Sequence, residues 1–242
     1  METQVRTALV DGRRCRWREA GSGPPLVLVH GLAGSWRWWR PVVPMLAAER
    51  TVHLVDLPGF GRLPGVRPFD PDGSVEWLAH WSQTAEIGPV DLVGHSLGGL
   101  LCARLAARHP EAVRRLVLVA PAGLPGRTAV GSTAPLLRVL FASRPRFLAL
   151  LASDAVRSGP VTIGTAARAL LAADARADLA TVRARTLVLA GSRDHLVPLA
   201  HAQELARALP DGRVRVLDAG HVPMVDRPAE LSRELLEFLA EP

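Results

Sequence analysis

The sequence predicts an α/β fold, with a mostly parallel sheet flanked by helices and one helical insertion. Three observations carry this expectation. Short apolar runs recur along the 242 residues and alternate with stretches whose apolar positions repeat every three to four, the pattern of buried strands joined by packed helices. One of these runs, Pro89 to Val93, stops at Gly94-His95-Ser96-Leu97-Gly98, and a helical pattern begins at once. Between residues 122 and about 182 no strand-like run occurs, only Ala, Leu and Arg at helical spacing.

Taken in order, Val5, Thr7 and Leu9 alternate with polar residues, Asp11-Gly12 makes a turn, and Cys15 and Trp17 alternate with Arg14, Arg16 and Arg18, which reads as an antiparallel hairpin at a sheet edge. Leu26 to Val29 is a continuous apolar run that suits a strand covered on both faces. A helical stretch through Trp39, Val42, Val43 and Leu46 leads to a second buried strand, Val52 to Asp56. Ser74 is expected to cap a helix carrying Val75, Leu78, Ala79 and Ala85. After the strand that ends at Ser96, a helix runs through Leu97, Leu100, Leu101 and Leu105. Leu116 to Val119, Thr186 to Ala190 and Val214 to Leu217 complete the strands. Helices follow the last two, through Leu205 and Leu209 and through Leu231, Leu235, Leu236 and Leu239.

The core therefore comprises residues 1–121 and 186–242, and 122–185 is an inserted helical lid. Within it, Leu136, Leu137, Leu140 and Phe141 share a helical face. Phe147, Leu148 and Leu151 repeat the pattern after Pro145, and Ala166, Ala169, Leu170 and Ala173 repeat it after Pro160. An insertion at this point is expected to cover the C-terminal edge of the sheet, where ligands bind in open α/β folds.

All 29 basic residues are arginine, and lysine, asparagine and tyrosine are absent, the signature of a GC-rich and bacterial coding sequence rather than of nucleic-acid binding. Residues 124–185 hold 9 Arg against 3 Asp, so this segment accounts for the net charge of +6. Arg138, Arg144 and Arg146 are expected to draw an anionic substrate or an acidic carrier protein towards the site. The two cysteines, the non-apolar Met1-Glu2-Thr3-Gln4 start and the absence of a run long enough to span a membrane point to a soluble protein of a reducing cytoplasm. Oligomeric state is not readable.

A serine hydroxyl is a poor nucleophile at neutral pH and needs a base to take its proton and a third group to orient that base. Ser96 sits between Gly94 and Gly98, whose lack of side chains allows a sharp strand-to-helix turn. Asp194 follows the strand Thr186 to Ala190, and His221 follows Val214 to Leu217 through Gly220. Loops that leave parallel strands meet at one edge, so these three residues can converge. Asp218 is the rival acid, three residues before His221, and Asp194 has the competing role of capping the helix near Pro198.

These residues and three further motifs resemble the α/β-hydrolase fold, from Leu26 to the C-terminal helix. His30-Gly31-Leu32-Ala33-Gly34-Ser35 resembles the family's oxyanion loop, Trp39 its packing aromatic, and Asp56-Leu57-Pro58-Gly59-Phe60-Gly61 its Asp-x-Pro-Gly-x-Gly turn, with Leu63 where the family often has serine. The resemblance implies a serine hydrolase with Ser96, Asp194 and His221 as its triad, backbone N–H groups of Leu32 and Leu97 as its oxyanion hole, and His30, Gly31, Trp36 and His95 near the substrate pocket. It implies no metal and no organic cofactor. The expected activity is hydrolysis of a small-molecule carboxylic ester through an acyl-enzyme. The alternatives are an acyl-carrier-protein methyl-ester esterase or thioesterase, a carbon–carbon bond hydrolase of meta-cleavage products, and a non-catalytic receptor of the same fold.

Overall fold

The computed structural model describes residues 3–63, 65, 68–125 and 145–241. Eight strands form one sheet: β1 (Gln4–Val10), β2 (Arg13–Ala20), β3 (Pro25–Val29), β4 (Thr51–Val55), β5 (Val90–His95), β6 (Val113–Val119), β7 (Arg185–Gly191) and β8 (Gly212–Leu217). Their spatial order is β1-β2-β4-β3-β5-β6-β7-β8. Strands β3 to β8 run parallel, and the β1–β2 hairpin joins antiparallel through β2 and β4, so the expected edge hairpin is present.

The parallel strands read as unbroken apolar runs because each face meets its own core. Leu26 and Leu28 of β3 pack into one layer with the Trp36–Trp39 turn, α1 (Val43–Leu46), α7 (Pro223–Asp226) and α8 (Pro228–Ala240), while Val27 and Val29 point into the other. That second layer holds α2 (Pro71–Thr84), α3 (Leu97–Arg108), α5 (Arg176–Leu179) and α6 (Leu199–Ala208). Helix α2 begins earlier than its apolar pattern suggested. Asp70, not Ser74, is the cap, accepting from the N–H of Asp72 at 3.0 Å, because Pro71 can open a helix without a missing hydrogen bond. Ser74 instead donates its hydroxyl to the Asp70 carbonyl at 2.7 Å.

One buried charge cluster ties the layers together. Asp91 on β5 is fully buried and accepts from Arg50 at 2.9 Å and from Arg114, and Arg50 also donates to the Leu239 carbonyl near the end of α8 at 2.9 Å.

Between β6 and β7 no strand occurs among the described residues. Helix α4 (Pro145–Ala172) is broken at Gly159, whose φ of 76° and ψ of 159° end one helical run just before Pro160 opens the next. The two runs expected after Pro145 and Pro160 are both there. The helix expected through Leu136, Leu137, Leu140 and Phe141 lies outside the described residues. Phe147, in the first half of α4, belongs to the core layer of Trp38 and α8, whereas Ala166 and Leu170, in the second half, belong to the layer of α2 and α3. The helix thus passes from one layer to the other. No helix among the described residues is long and apolar enough to cross a membrane. Cys15 and Cys102 are buried and unpaired with each other, and burial pushes the Cys15 thiol up to about 12.

Candidate active site

The turn from β5 into α3 is built by close backbone approach. A Cβ on Gly94 would lie 2.4 Å from the Gly98 carbonyl oxygen and 2.7 Å from Cys102 Sγ, and one on Gly98 would lie 2.4 Å from the carbonyl oxygen of His30. The second glycine therefore serves less to clear its partner than to let α3 press against the end of β3. Ser96 stands at the apex with φ 52° and ψ −114°, a conformation that L-residues rarely adopt, and its N–H donates to the Val119 carbonyl at 3.0 Å.

Ser96 Oγ lies 3.2 Å from His221 Nε2, and His221 Nδ1 lies 2.8 Å from Asp194 Oδ2. All three side chains are buried. The other carboxylate oxygen of Asp194 accepts from the N–H groups of Leu196 at 2.8 Å and Val197 at 2.9 Å. The turn-forming and imidazole-orienting roles thus use different oxygens of one carboxylate and do not compete. Burial pushes this carboxyl up. The charge and hydrogen bond of His221 and the two backbone donors outweigh it and hold it below the usual range. Asp218, the rival acid, is exposed and turned to Arg227 at 3.1 Å and Arg193 at 3.4 Å. The sequence order of three separate loops therefore converges on Ser96, His221 and Asp194.

His95 has a different task from lining a pocket. Its Nε2 lies 2.8 Å from the backbone carbonyl of His221, which only an N–H can satisfy, and its ring packs against His221 and Trp38. Full burial is the main reason its pKa is pushed down to about 3, so the ring is neutral with its proton on Nε2. Gly31 fits against this ring, since a Cβ there would approach His95 Nδ1 to 2.7 Å and Ser96 Cβ to 3.2 Å.

His30 is likewise fully buried, donating from Nδ1 to the Gly31 carbonyl at 2.8 Å and accepting at Nε2 from the Leu57 N–H at 3.1 Å. Both ring nitrogens are spent on the loop, and the ring has none left for a ligand. Burial lowers its pKa and keeps this tautomer neutral. Trp36 stands apart from the relay. Its N–H donates to Asp56 at 2.8 Å, and its ring carries the Arg18 guanidinium at 4.4 Å. Leu97 is the first residue of α3, where the helix leaves its N–H without an intrahelical partner, and Leu32 lies in the loop beside it. Neither N–H has a hydrogen-bond partner among the described residues.

Asp154 escaped the sequence reading. Fully buried on α4, it accepts from Ser35 Oγ at 2.8 Å and Trp38 Nε1 at 3.2 Å and pairs with Arg37. Three partners from one short segment thus fasten α4 to the turn that follows the His30–Gly34 loop. The available signal was a carboxylate on the helical face that also carries Phe147, Leu151 and Ser158.

A model of the alpha/beta hydrolase family matches residues 26–234. The chain is 32% identical to the pimeloyl-[acyl-carrier protein] methyl ester esterase of Chromobacterium violaceum, over 90% of this chain and 95% of that protein. It is 30% identical to the 2-hydroxymuconate semialdehyde hydrolase of Pseudomonas sp. strain CF600, over 98% and 94%. Among solved structures, the enol-lactonase from Burkholderia xenovorans LB400 superposes with a TM-score of 0.85 at 24% identity, covering 98% of this chain and all 100% of that one, and shares the fold.

Proposed function

The chain belongs to the alpha/beta hydrolase family, and from that premise we propose that it cleaves a carboxylic ester through an acyl-enzyme intermediate. The observation that carries this reading is the relay of 3.2 Å and 2.8 Å that links Ser96 to His221 and His221 to Asp194. Asp194 accepts a hydrogen bond from the Nδ1–H of His221, which leaves Nε2 free to take the proton of Ser96 Oγ as that oxygen attacks an acyl carbonyl. The imidazolium formed is stabilised by the buried carboxylate and passes its proton to the departing alcohol. Water, deprotonated by the same Nε2, then releases the acid.

The N–H groups of Leu97 and Leu32 are suited to the negative oxygen of the tetrahedral intermediate, a contact typically worth about 3 to 4 kcal/mol per donor in the transition state. The insertion, residues 122–185, acts as a lid in this reading, which the passage of α4 from one core layer to the other supports. The testing experiment is turnover of p-nitrophenyl esters of graded chain length, with Ser96→Ala and His221→Ala singly and together. Each single change should lower kcat by about 10^4 to 10^6, and the pair should cost little more, because the relay acts as a unit. Additive losses, or fluorophosphonate labelling at another serine, would overturn it.

A second reading is favoured by the 32% identity to the Chromobacterium esterase: a methyl ester on a carrier-linked acyl chain. It predicts that kcat/KM for a carrier-linked methyl ester exceeds that for the same free methyl ester and falls with added salt.

A further inference from the structure

On the far side of β4 from the Ser96 relay, a hollow of about 150 Å³ opens between β2, the Trp36–Trp39 turn, the loop after β4 and α4, and none of the relay residues lines it. Five arginines do: Arg16, Arg18, Arg37, Arg62 and Arg157. Two carboxylates among the described residues lie near them, and one, Asp56, is bonded to neutral backbone donors and keeps its charge in the wall, so the arginines outnumber the acids without cancelling them. Asp56, also in the wall, accepts from the backbone N–H groups of Trp36 at 2.8 Å and Arg62 at 3.0 Å, and Asp154 is taken up by Arg37, Ser35 and Trp38. Among the described residues, the guanidinium groups of Arg16, Arg18, Arg62 and Arg157 have no carboxylate partner. Arginines elsewhere commonly do, as Arg104, Arg108, Arg114 and Arg215 illustrate.

We propose that this hollow binds a phosphate group. Four arginines without a carboxylate partner line one small space, Arg18 half-buried and Arg16, Arg62 and Arg157 exposed, and a multiply charged anion there can take charge-assisted bonds from them. A carboxylate brings one charge and two oxygens, and serves two guanidinium groups where Asp91 meets Arg50 and Arg114. A phosphate monoester, with close to two negative charges and three terminal oxygens, can engage several forks at once. The hollow, about 150 Å³ and open to solvent, has room for a phosphate group with water. One wall is already organised: the Arg18 guanidinium lies over the Trp36 ring at 4.4 Å and donates to Thr3 Oγ1 at 3.0 Å, so it is held in place before any anion arrives.

The phosphate can be free in solution or carried on a substrate whose ester reaches Ser96, and the two sources share this chemistry. The test titrates inorganic phosphate into the full chain at constant ionic strength, with chloride as the balancing anion, and follows the melting temperature. A saturable rise is expected for the wild type. The double change Arg16→Gln with Arg62→Gln should weaken phosphate at least tenfold, while Arg207→Gln, outside the hollow, should not.

The source is read separately. Phosphate that competes with a phosphate-bearing ester but leaves p-nitrophenyl acetate untouched identifies a substrate group, and saturable binding without such competition identifies free phosphate. Either result supports the site. A response no larger than that to chloride, or one unchanged by the double variant, overturns it. Because melting does not require turnover, failure of the ester-hydrolase reading would leave this test intact.

Discussion

At the scale of single residues, the two oxygens of Asp194 lead to a sharp expectation for its amide. In Asp194→Asn the carbonyl oxygen is claimed by the N–H groups of Leu196 and Val197, so the NH₂ faces His221 Nδ1. A donor there forces Nδ1 to accept and moves the imidazole proton to Nε2, the nitrogen that must take the serine proton. Turnover should fall by about 10^4 with the fold intact by circular dichroism, whereas Asp218→Asn, whose carboxylate meets the exposed Arg193, Arg227 and Ser192, should stay within a few-fold. His95 gives a pH expectation. Its ordinary pKa of 6.5 is depressed to about 3 by burial, so below pH 6.5 the unfolded chain binds a proton that the folded chain refuses. The resulting stability is complete above pH 6.5 and is lost as pH falls towards 3. His95→Gln, whose amide can still donate to the His221 carbonyl, should flatten this acid limb by one proton in urea midpoints taken from pH 7 to 4. Equal slopes would remove His95 from that role.

At the scale of elements, two glycines of helices make opposite predictions. Gly98, second residue of α3, has its missing Cβ 2.4 Å from a backbone carbonyl, so Gly98→Ala must push α3 off β3 and should abolish both activity and cooperative melting. Gly164 lies inside α4 with open space around it, and Gly164→Ala should stabilise by about 0.5 to 1 kcal/mol with activity unchanged. Chemical denaturation of both variants checks the pair. The start of α2 shows why such positions are hard to read from pattern alone. Apolar periodicity locates the buried face of a helix, but the first turn is set by Asp70 and Pro71, which lie outside that pattern.

At the scale of the whole molecule, the Asp91 cluster couples sheet, α1–β4 loop and C-terminal helix through one buried carboxylate. Asp91→Asn leaves the buried Arg50 without its counter-ion and should cost about 3 kcal/mol, or about 6 to 12 °C of Tm in a domain of this size. A loss within 2 °C would show that water replaces the pair. Much of the architecture was legible because each parallel strand meets two cores and so appears as an unbroken apolar run, as Leu26 to Val29 does. Ser96, Asp194 and His221 could be selected because each follows the C-terminal end of a strand. The order of strands across the sheet and the fastening of α4 by Asp154 were not legible, since both depend on contacts between segments far apart in sequence. The charge count says how large the excess is and not where each arginine points. Arg176 pairs with Asp174 and Glu204, and Arg185 with Asp211 and Glu241, so part of the excess in 124–185 is spent on the core, and Arg127, Arg138 and Arg144 lie outside the described residues.

The backbone of Ser96 has a consequence for any attempt to harden this protein. A non-glycine residue held at φ 52° and ψ −114° costs of order 1 to 3 kcal/mol, which the rest of the fold must supply. Ser96→Gly should therefore melt higher than the wild type while losing all turnover, and Ser96→Ala, which keeps the Cβ, should show no comparable gain. A selection for heat resistance alone would drift towards the dead glycine variant, so any such screen on this scaffold has to score the reaction and the melting point in the same clone.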